Sequence, residues 1–193
     1  MKKGLLIILS GPSGVGKGTI RKKLMEKYKD LNLYYSISMT TRKAREFEKE
    51  GEDYFFVSDE VFEKNIENNN FLEYASFIDH KYGTPKDYVE KLRTEGKNVL
   101  LEIDIRGAKQ VMKTLFGDNI LSIFVTAPSI HDIETRIRNR HTETENQINE
   151  RLEKARNEMH LSYLYDYVIV NDQLDKAVDQ IASIIRNRID ETK

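Results

Sequence analysis

Residues 5–19 read Leu5-Leu6-Ile7-Ile8-Leu9-Ser10-Gly11-Pro12-Ser13-Gly14-Val15-Gly16-Lys17-Gly18-Thr19. Leu5 to Leu9 is apolar at every position, the pattern of a strand buried on both faces of a parallel sheet. Glycines at 11, 14 and 16 ahead of Lys17 then give the spacing of a phosphate-binding P-loop. The chemistry explains the spacing. Glycines let backbone N–H groups turn inward, the next helix offers its positive end, and a lysine reaches the outer phosphates. Gly11 to Thr19 are therefore the expected cradle for a nucleotide's phosphates, with Lys17 on the outer ones. A glycine turn that merely joins strand to helix is the plainer reading; the lysine and the flanking elements disfavour it. The strict pattern wants Ser or Thr directly after the lysine, and here Gly18 stands there with Thr19 next. Thr19 would thus hold Mg²⁺, or a water on it, less directly.

Outward from this stretch, Ile20, Leu24 and Tyr28 recur at helical spacing among Arg and Lys, which predicts an amphipathic helix. Val99 to Asp104, Ile120 to Val125 and Tyr167 to Val170 read as further buried strands, with helical patterns between and after them. Strands alternating with helices predict an α/β fold built on a parallel sheet flanked by helices. The stretch 33–85 breaks that rhythm. Tyr34–Ser38, Tyr54–Val57 and Phe71–Ile78 look like strands, with one short helix from Asp59 to about Asn68. This predicts a strand-rich insertion. A second insertion is expected at about 129–151, where Ser129–Asp132 and Thr142–Glu145 each fit a capping box. The expected core is then about 1–32, 86–128 and 152–193, in one domain.

Composition narrows the function. The formal net charge is -1, so no overall basic field advertises nucleic acid or an anionic membrane, and any bound anion needs a local cluster. The absence of cysteine removes disulfides, thiolate catalysis and cysteine metal sites, and fits a reducing compartment. The apolar run after Met1-Lys2-Lys3-Gly4 is too short for a signal-peptide core, so a cytoplasmic location is expected. His80, His131, His141 and His160 show no metal-ligand spacing and read as surface or loop residues.

A P-loop alone names no reaction; it serves GTPases, ATPases and small-molecule kinases alike. The next segments decide. Ser36 to Arg45 places Arg42 and Arg45 three apart behind a hydroxyl-rich strand end, followed by Gly51-Glu52-Asp53-Tyr54, Phe71-Leu72-Glu73 and Tyr82-Gly83-Thr84. Singly these are a surface arginine pair, a core tyrosine and an exposed acid. In this order behind a P-loop, with Leu101–Gly107, Arg136–Arg151 and Val168–Asp172, the chain resembles the guanylate kinase family over nearly its whole length. The resemblance implies a GMP pocket in the strand-rich insertion, ATP as phosphoryl donor and Mg²⁺ as cofactor. Arg42, Arg45, Tyr54 and Tyr82 would take the GMP phosphate. Ser38, Glu73 and Thr84 would face guanine, with Glu102 or Asp104 at the pocket floor. Guanidinium forks suit phosphate oxygens. Guanine's N1–H and exocyclic amine suit a carboxylate, whereas adenine's bare N1 would meet repulsion.

By the same resemblance, Arg136, Arg140 and Arg151 form a helical lid that acts with Lys17 on the phosphates, and Asn171 lies near the adenine of ATP. Spacing independently puts Arg136 and Arg140 on one helical face, leaving Arg138 as surface. Asp104 is the expected Mg²⁺ holder through water, with Glu102 the other possibility. The acceptor phosphate is already anionic, so no general base is required. The family's usual proline is Ala44 here, its glycine Phe47, its polar residue near 80 His80, and its glutamine before Gly107 is Arg106. Two rival functions share the resemblance: a scaffold module that binds phosphopeptides without catalysis, and a kinase for another nucleoside monophosphate. The intact P-loop lysine disfavours the first, and Ser38 with Glu73 the second.

Overall fold

The computed structural model describes residues 3–77, 79–115, 118–139 and 144–191. Nine strands and seven α-helices alternate through these residues, beginning with β1 (Leu6–Ser10) and α1 (Lys17–Lys27). There follow β2 (Leu33–Tyr35), β3 (Ser38–Thr40), β4 (Tyr54–Phe56), α2 (Asp59–Glu67), β5 (Phe71–Phe77), β6 (His80–Pro85) and α3 (Lys86–Thr94). Then come β7 (Asn98–Glu102), α4 (Ile105–Thr114), β8 (Ile120–Thr126), α5 (Ile130–Arg138), α6 (Glu145–Met159), β9 (Tyr167–Val170) and α7 (Leu174–Glu191).

A five-stranded sheet has the order β2-β7-β1-β8-β9, and a four-stranded sheet the order β4-β3-β6-β5. The α/β architecture with a parallel sheet and flanking helices is as the sequence implied. Every residue of β1 is buried, as its unbroken apolar run requires. Helix α1 buries Ile20 and Leu24, four apart on one face, and exposes or half-exposes its basic residues. Side chains cap the starts of α2, α5 and α6, which fixes where the chain enters them. Ser58 accepts from the Val61 N–H at α2, and Ser129 from the Asp132 N–H at α5. Thr144 forms a reciprocal capping box with Gln147 at α6.

The chain divides into two compact units. One comprises 1–6, 34–101 and 106–120; the other comprises 7–33, 102–105 and 121–193. In the first, Arg93 is fully buried. Its guanidinium donates to the Gly4 carbonyl at 3.0 Å, to both Asp118 oxygens at 3.1 Å and to the Asn119 carbonyl at 3.1 Å. Lys3 reaches Glu90 at 2.5 Å and Asp118 at 3.2 Å. In the second, β8 and β9 pair in parallel from Ile123↔Tyr167 to Thr126↔Val170, and α7 buries Ala177, Val178, Ile181, Ala182 and Ile185.

Two expectations need correction, and one strand lies beyond them. Tyr34–Ser38 is not one strand: β2 ends at Tyr35 and joins the five-stranded sheet, while β3 starts at Ser38 in the other. The polar stretch His80–Pro85 is a strand that alternation of apolar residues did not announce. Helix α6 starts from Thr144, not Thr142; overlapping Thr-x-x-Glu and Thr-x-x-Gln patterns occupy the same stretch, and the second one wins. Thr142 itself lies outside the described residues, as do Arg140 and His141.

Candidate functional site

The acceptor candidates are built on one face of the four-stranded sheet. Ser38 pairs with Tyr54 and Thr40 with Phe56 across β3 and β4; Thr40 pairs with Tyr82 across β3 and β6. Across β5 and β6, Ala75 pairs with Tyr82 and Glu73 with Thr84. Paired residues and residues two apart share a face. Ser38, Tyr54, Glu73, Tyr82 and Thr84 therefore all project to one side. For Glu73 this depends on a register shift between Phe71 and Glu73, which opposes Phe71 to Pro85 and Glu73 to Thr84. With regular pairing from Phe71, Glu73 would face Gly83 and point to the other side.

Glu73 and Thr84 are buried, at 6% and 1% exposure, and the Thr84 hydroxyl donates to Glu73 Oε1 at 2.5 Å. Gly107, in the first turn of α4, makes room for this acid: a methyl group there would lie 2.5 Å from Glu73 Oε2. The positive end of a helix favours a carboxylate so placed. The ring of Tyr54 meets that of Tyr82 edge-on, with centroids 6.1 Å apart.

Arg42 continues the same face. Its N–H donates to Thr40 Oγ1 at 3.2 Å, and its guanidinium lies over the rings of Tyr54, at 5.4 Å, and Phe56, at 6.0 Å. Hydrogen bonding to Glu48 raises its pKa, against the opposing effect of burial. Arg45 is exposed on the following loop. That loop is closed by short-range bonds: Asp53 Oδ2 accepts from Lys49 N–H at 2.9 Å, and Glu50 Oε2 from Phe56 N–H at 2.8 Å. Phe47 is 88% exposed, so the large side chain in place of the family's glycine meets no obstruction.

The donor candidates lie in the other unit. Gly11, Gly14 and Gly16 all have positive φ, and a methyl on Gly11 would fall 2.0 Å from the Val125 carbonyl oxygen. Lys17 Nζ donates to the Gly11 carbonyl at 2.6 Å and the Pro12 carbonyl at 3.0 Å, bridging the mouth of the loop. Burial lowers its pKa, while the charges of Glu102, Glu158 and Asp104 pull it back up. Three candidates lock onto the loop. Arg151 Nη2 donates to Ser13 Oγ at 2.7 Å. Asn171, buried at the end of β9, donates from Nδ2 to the Val15 carbonyl at 2.8 Å. Arg136 donates to that carbonyl at 3.3 Å and to the Asn171 carbonyl at 2.7 Å. Arg138 points elsewhere, pairing with Glu134 at 2.8 Å and Glu145 at 2.5 Å.

Of the acids, Glu102 pairs with Arg21 of α1 at 2.8 Å. Its Oε1 lies 3.3 Å from where a methyl on Gly18 would stand, so the carboxylate borders that position of the loop closely. Thr19 is exposed and Asp104 half-buried. Spacing missed Arg21, Glu48, Gly107 and Glu158. Glu158 is 12% exposed on α6, and burial raises its pKa; only its helical phase relative to Arg151 could have pointed inward.

A glycine loop after a buried strand, a lysine across its mouth and arginines docked on it define a P-loop nucleotide-binding α/β protein. The guanylate kinase family model matches residues 3–188. A guanylate kinase of Aster yellows witches'-broom phytoplasma is 50% identical over 192 residues, covering 100% of this chain and 90% of that one. One from Mesoplasma florum is 50% identical over 183 residues; the match covers 95% of this chain and 61% of that longer protein. The crystal structure of guanylate kinase from Anaplasma phagocytophilum superposes with a TM-score of 0.76 at 34% identity, covering 96% of this chain and 86% of that one. The chain belongs to the guanylate kinase family, and its enzyme class is that of a nucleoside monophosphate kinase.

Proposed function

We propose that the chain transfers the γ-phosphoryl group of ATP to GMP, giving ADP and GDP, with the roles divided between its two sets of side chains. The observation that carries the acceptor assignment is the one-faced array of Ser38, Tyr54, Glu73, Tyr82 and Thr84 beside Arg42. Glu73 accepts from guanine N1–H and the exocyclic amine, while Ser38 and Thr84 complete the edge. Arg42 and Arg45 grip the phosphate with the Tyr54 and Tyr82 hydroxyls. The stretch 33–85 is thus the acceptor-binding part.

On the donor side, the loop amides from Gly11 to Thr19 and the Lys17 ammonium hold the ATP phosphates, and Asn171 borders the adenine. Arg136, Arg140 and Arg151, on a lid of about 129–151, screen charge that spreads over the transferred group. A dissociative transfer between anions needs positioning and screening, not a covalent intermediate.

Mg²⁺ fits this donor set. It prefers oxygen ligands and keeps several waters, so it needs few protein ligands. Among the described residues no cluster of three potential metal ligands exists. Asp104, with Thr19 and Glu102 as further oxygens, would hold the ion through water beside the ATP phosphates. When bound, it supplies charge neutralisation on the phosphate oxygens. No helix among the described residues is long and apolar enough to cross a membrane, which is compatible with a cytoplasmic site of action.

The test is a coupled assay of ADP formation with GMP, AMP, UMP and CMP. Turnover with GMP at least about 10²-fold above the others is expected, since a pocket that demands a hydrogen bond rejects analogues lacking it. Equal turnover of AMP would refute the assignment of Glu73.

A further inference from the structure

Four glutamates stand between 46 and 52, at 46, 48, 50 and 52; Glu48 is half-buried and the other three are exposed. Its Oε1 accepts from Arg42 Nη2 at 2.8 Å and its Oε2 from the Arg45 backbone N–H at 2.9 Å. Its own N–H donates to the Arg45 carbonyl at 3.0 Å. The Arg42 guanidinium is fixed on its other arm by the Lys43 carbonyl, 2.8 Å from Nη1, and below by the Tyr54 ring. One carboxylate thus ties the side chain of the first arginine to the backbone of the second.

We propose that Glu48 is the positioning residue of the acceptor phosphate site: it holds the Arg42 fork and the Arg45 backbone in the arrangement that a nucleoside monophosphate's phosphate meets, without touching the nucleotide itself. The inference rests on the assignment of Arg42 and Arg45 to the GMP phosphate.

Two effects of this carboxylate oppose each other. It offsets part of the Arg42 charge, which weakens the pull on a phosphate. It also removes the freedom of a long side chain before the ligand arrives, which strengthens binding. Donor supply decides between them. A guanidinium has five N–H groups; Glu48 and the Lys43 carbonyl use one each and the Tyr82 hydroxyl is a third partner, which leaves further donors for the phosphate. Without Glu48, the Arg42 fork keeps the Lys43 carbonyl and the Tyr54 ring but loses its link to the Arg45 backbone. The hydrogen bonds from Arg42 and the Arg45 N–H also lower the pKa of Glu48, so it stays ionised at neutral pH.

The test measures steady-state kinetics and melting temperature for wild type, Glu48→Ala and Glu48→Gln. Because the two carboxylate oxygens serve different donors, glutamine can satisfy only one and turns an amide against the other. Loss of one charge-assisted hydrogen bond sets the expected scale: both variants raise KM for GMP about tenfold, with kcat, KM for ATP and melting temperature nearly unchanged. A lower or unchanged KM for GMP would overturn the proposal, the former by showing that the carboxylate competes with phosphate. A parallel shift in kcat, KM for ATP and melting temperature would also overturn it, by reducing Glu48 to a structural role. If wild type releases no ADP in response to GMP, the acceptor assignment itself fails. If wild type does so and the variants match it, only the role of Glu48 falls.

Discussion

Thr84 and Glu73 face each other across β6 and β5, and the Thr84 hydroxyl donates to the buried carboxylate at 2.5 Å while the other carboxylate oxygen occupies the space left by Gly107. The position of the acid is therefore fixed by the protein's own contacts. Glu73→Gln replaces one acceptor with a donor that opposes the guanine amine or N1–H. It should lower kcat/KM for GMP by roughly 10²-fold and narrow the preference over AMP. Gly107→Ala should reach a similar end by steric means, raising KM for GMP about tenfold or more, because the methyl drives Glu73 from its seat. Competition assays with GMP and AMP check both; an unchanged preference in Glu73→Gln would remove that residue from base recognition.

Lys17→Ala removes the charge expected to act on the phosphates, so turnover should fall at least about 10³-fold. The lysine also ties the Gly11 and Pro12 carbonyls together, so a drop in melting temperature of a few degrees is expected too. Activity and a melting curve, measured together, separate the two effects. Retained activity would take the P-loop out of the mechanism.

Arg151 on α6 and Arg138 on α5 have different partners, Ser13 of the phosphate loop for one and Glu134 and Glu145 for the other. Arg151→Ala should cut kcat and kcat/KM together by about 10²-fold, the signature of a contact made chiefly in the transition state. Arg138→Ala removes two partly exposed ion pairs and should stay within about twofold of wild type. Equal damage from both would reverse the assignment of faces on the lid.

Acid titration should report the knot around Arg93. Burial alone would raise the Asp118 pKa, but Arg93, the Asn119 N–H and Lys3 outweigh it and hold the carboxyl down at about 2. A depressed native pKa stabilises the fold above the unfolded value and is lost as pH falls through the native one. The gap corresponds to about 2 kcal/mol at neutral pH, disappearing between roughly pH 4 and pH 2. Asp118→Asn should remove this component and flatten the acid limb of stability over that window. Arg93→Met should cost about 3 kcal/mol by stripping the pair of its buried half. An unchanged acid limb in Asp118→Asn would show that the ion pair does not govern it.

Much of this was legible from residue order because its physics is local. The five-residue run Leu5–Leu9, between Gly4 and the glycine loop, is too short for a helix and so reads as a buried strand, and a glycine loop tolerates little change in spacing. The acceptor sheet was harder. His80–Pro85 is polar along most of its length, which hides a strand, and the register shift before Glu73 depends on pairing with that hidden strand. Glu48 was invisible among its acidic neighbours, since nothing in the order of residues says which one turns toward Arg42. Thr144 lost to Thr142 in the reading because two caps with the same signature overlap.

Phe47 stands 88% exposed in the loop between β3 and β4, in a chain with no tryptophan. A single Phe47→Trp substitution would therefore install the protein's only indole one residue from Glu48 and two from Arg45, at a place where size is not restricted. Its emission would follow that loop alone, turning nucleotide occupancy into an optical signal without a label.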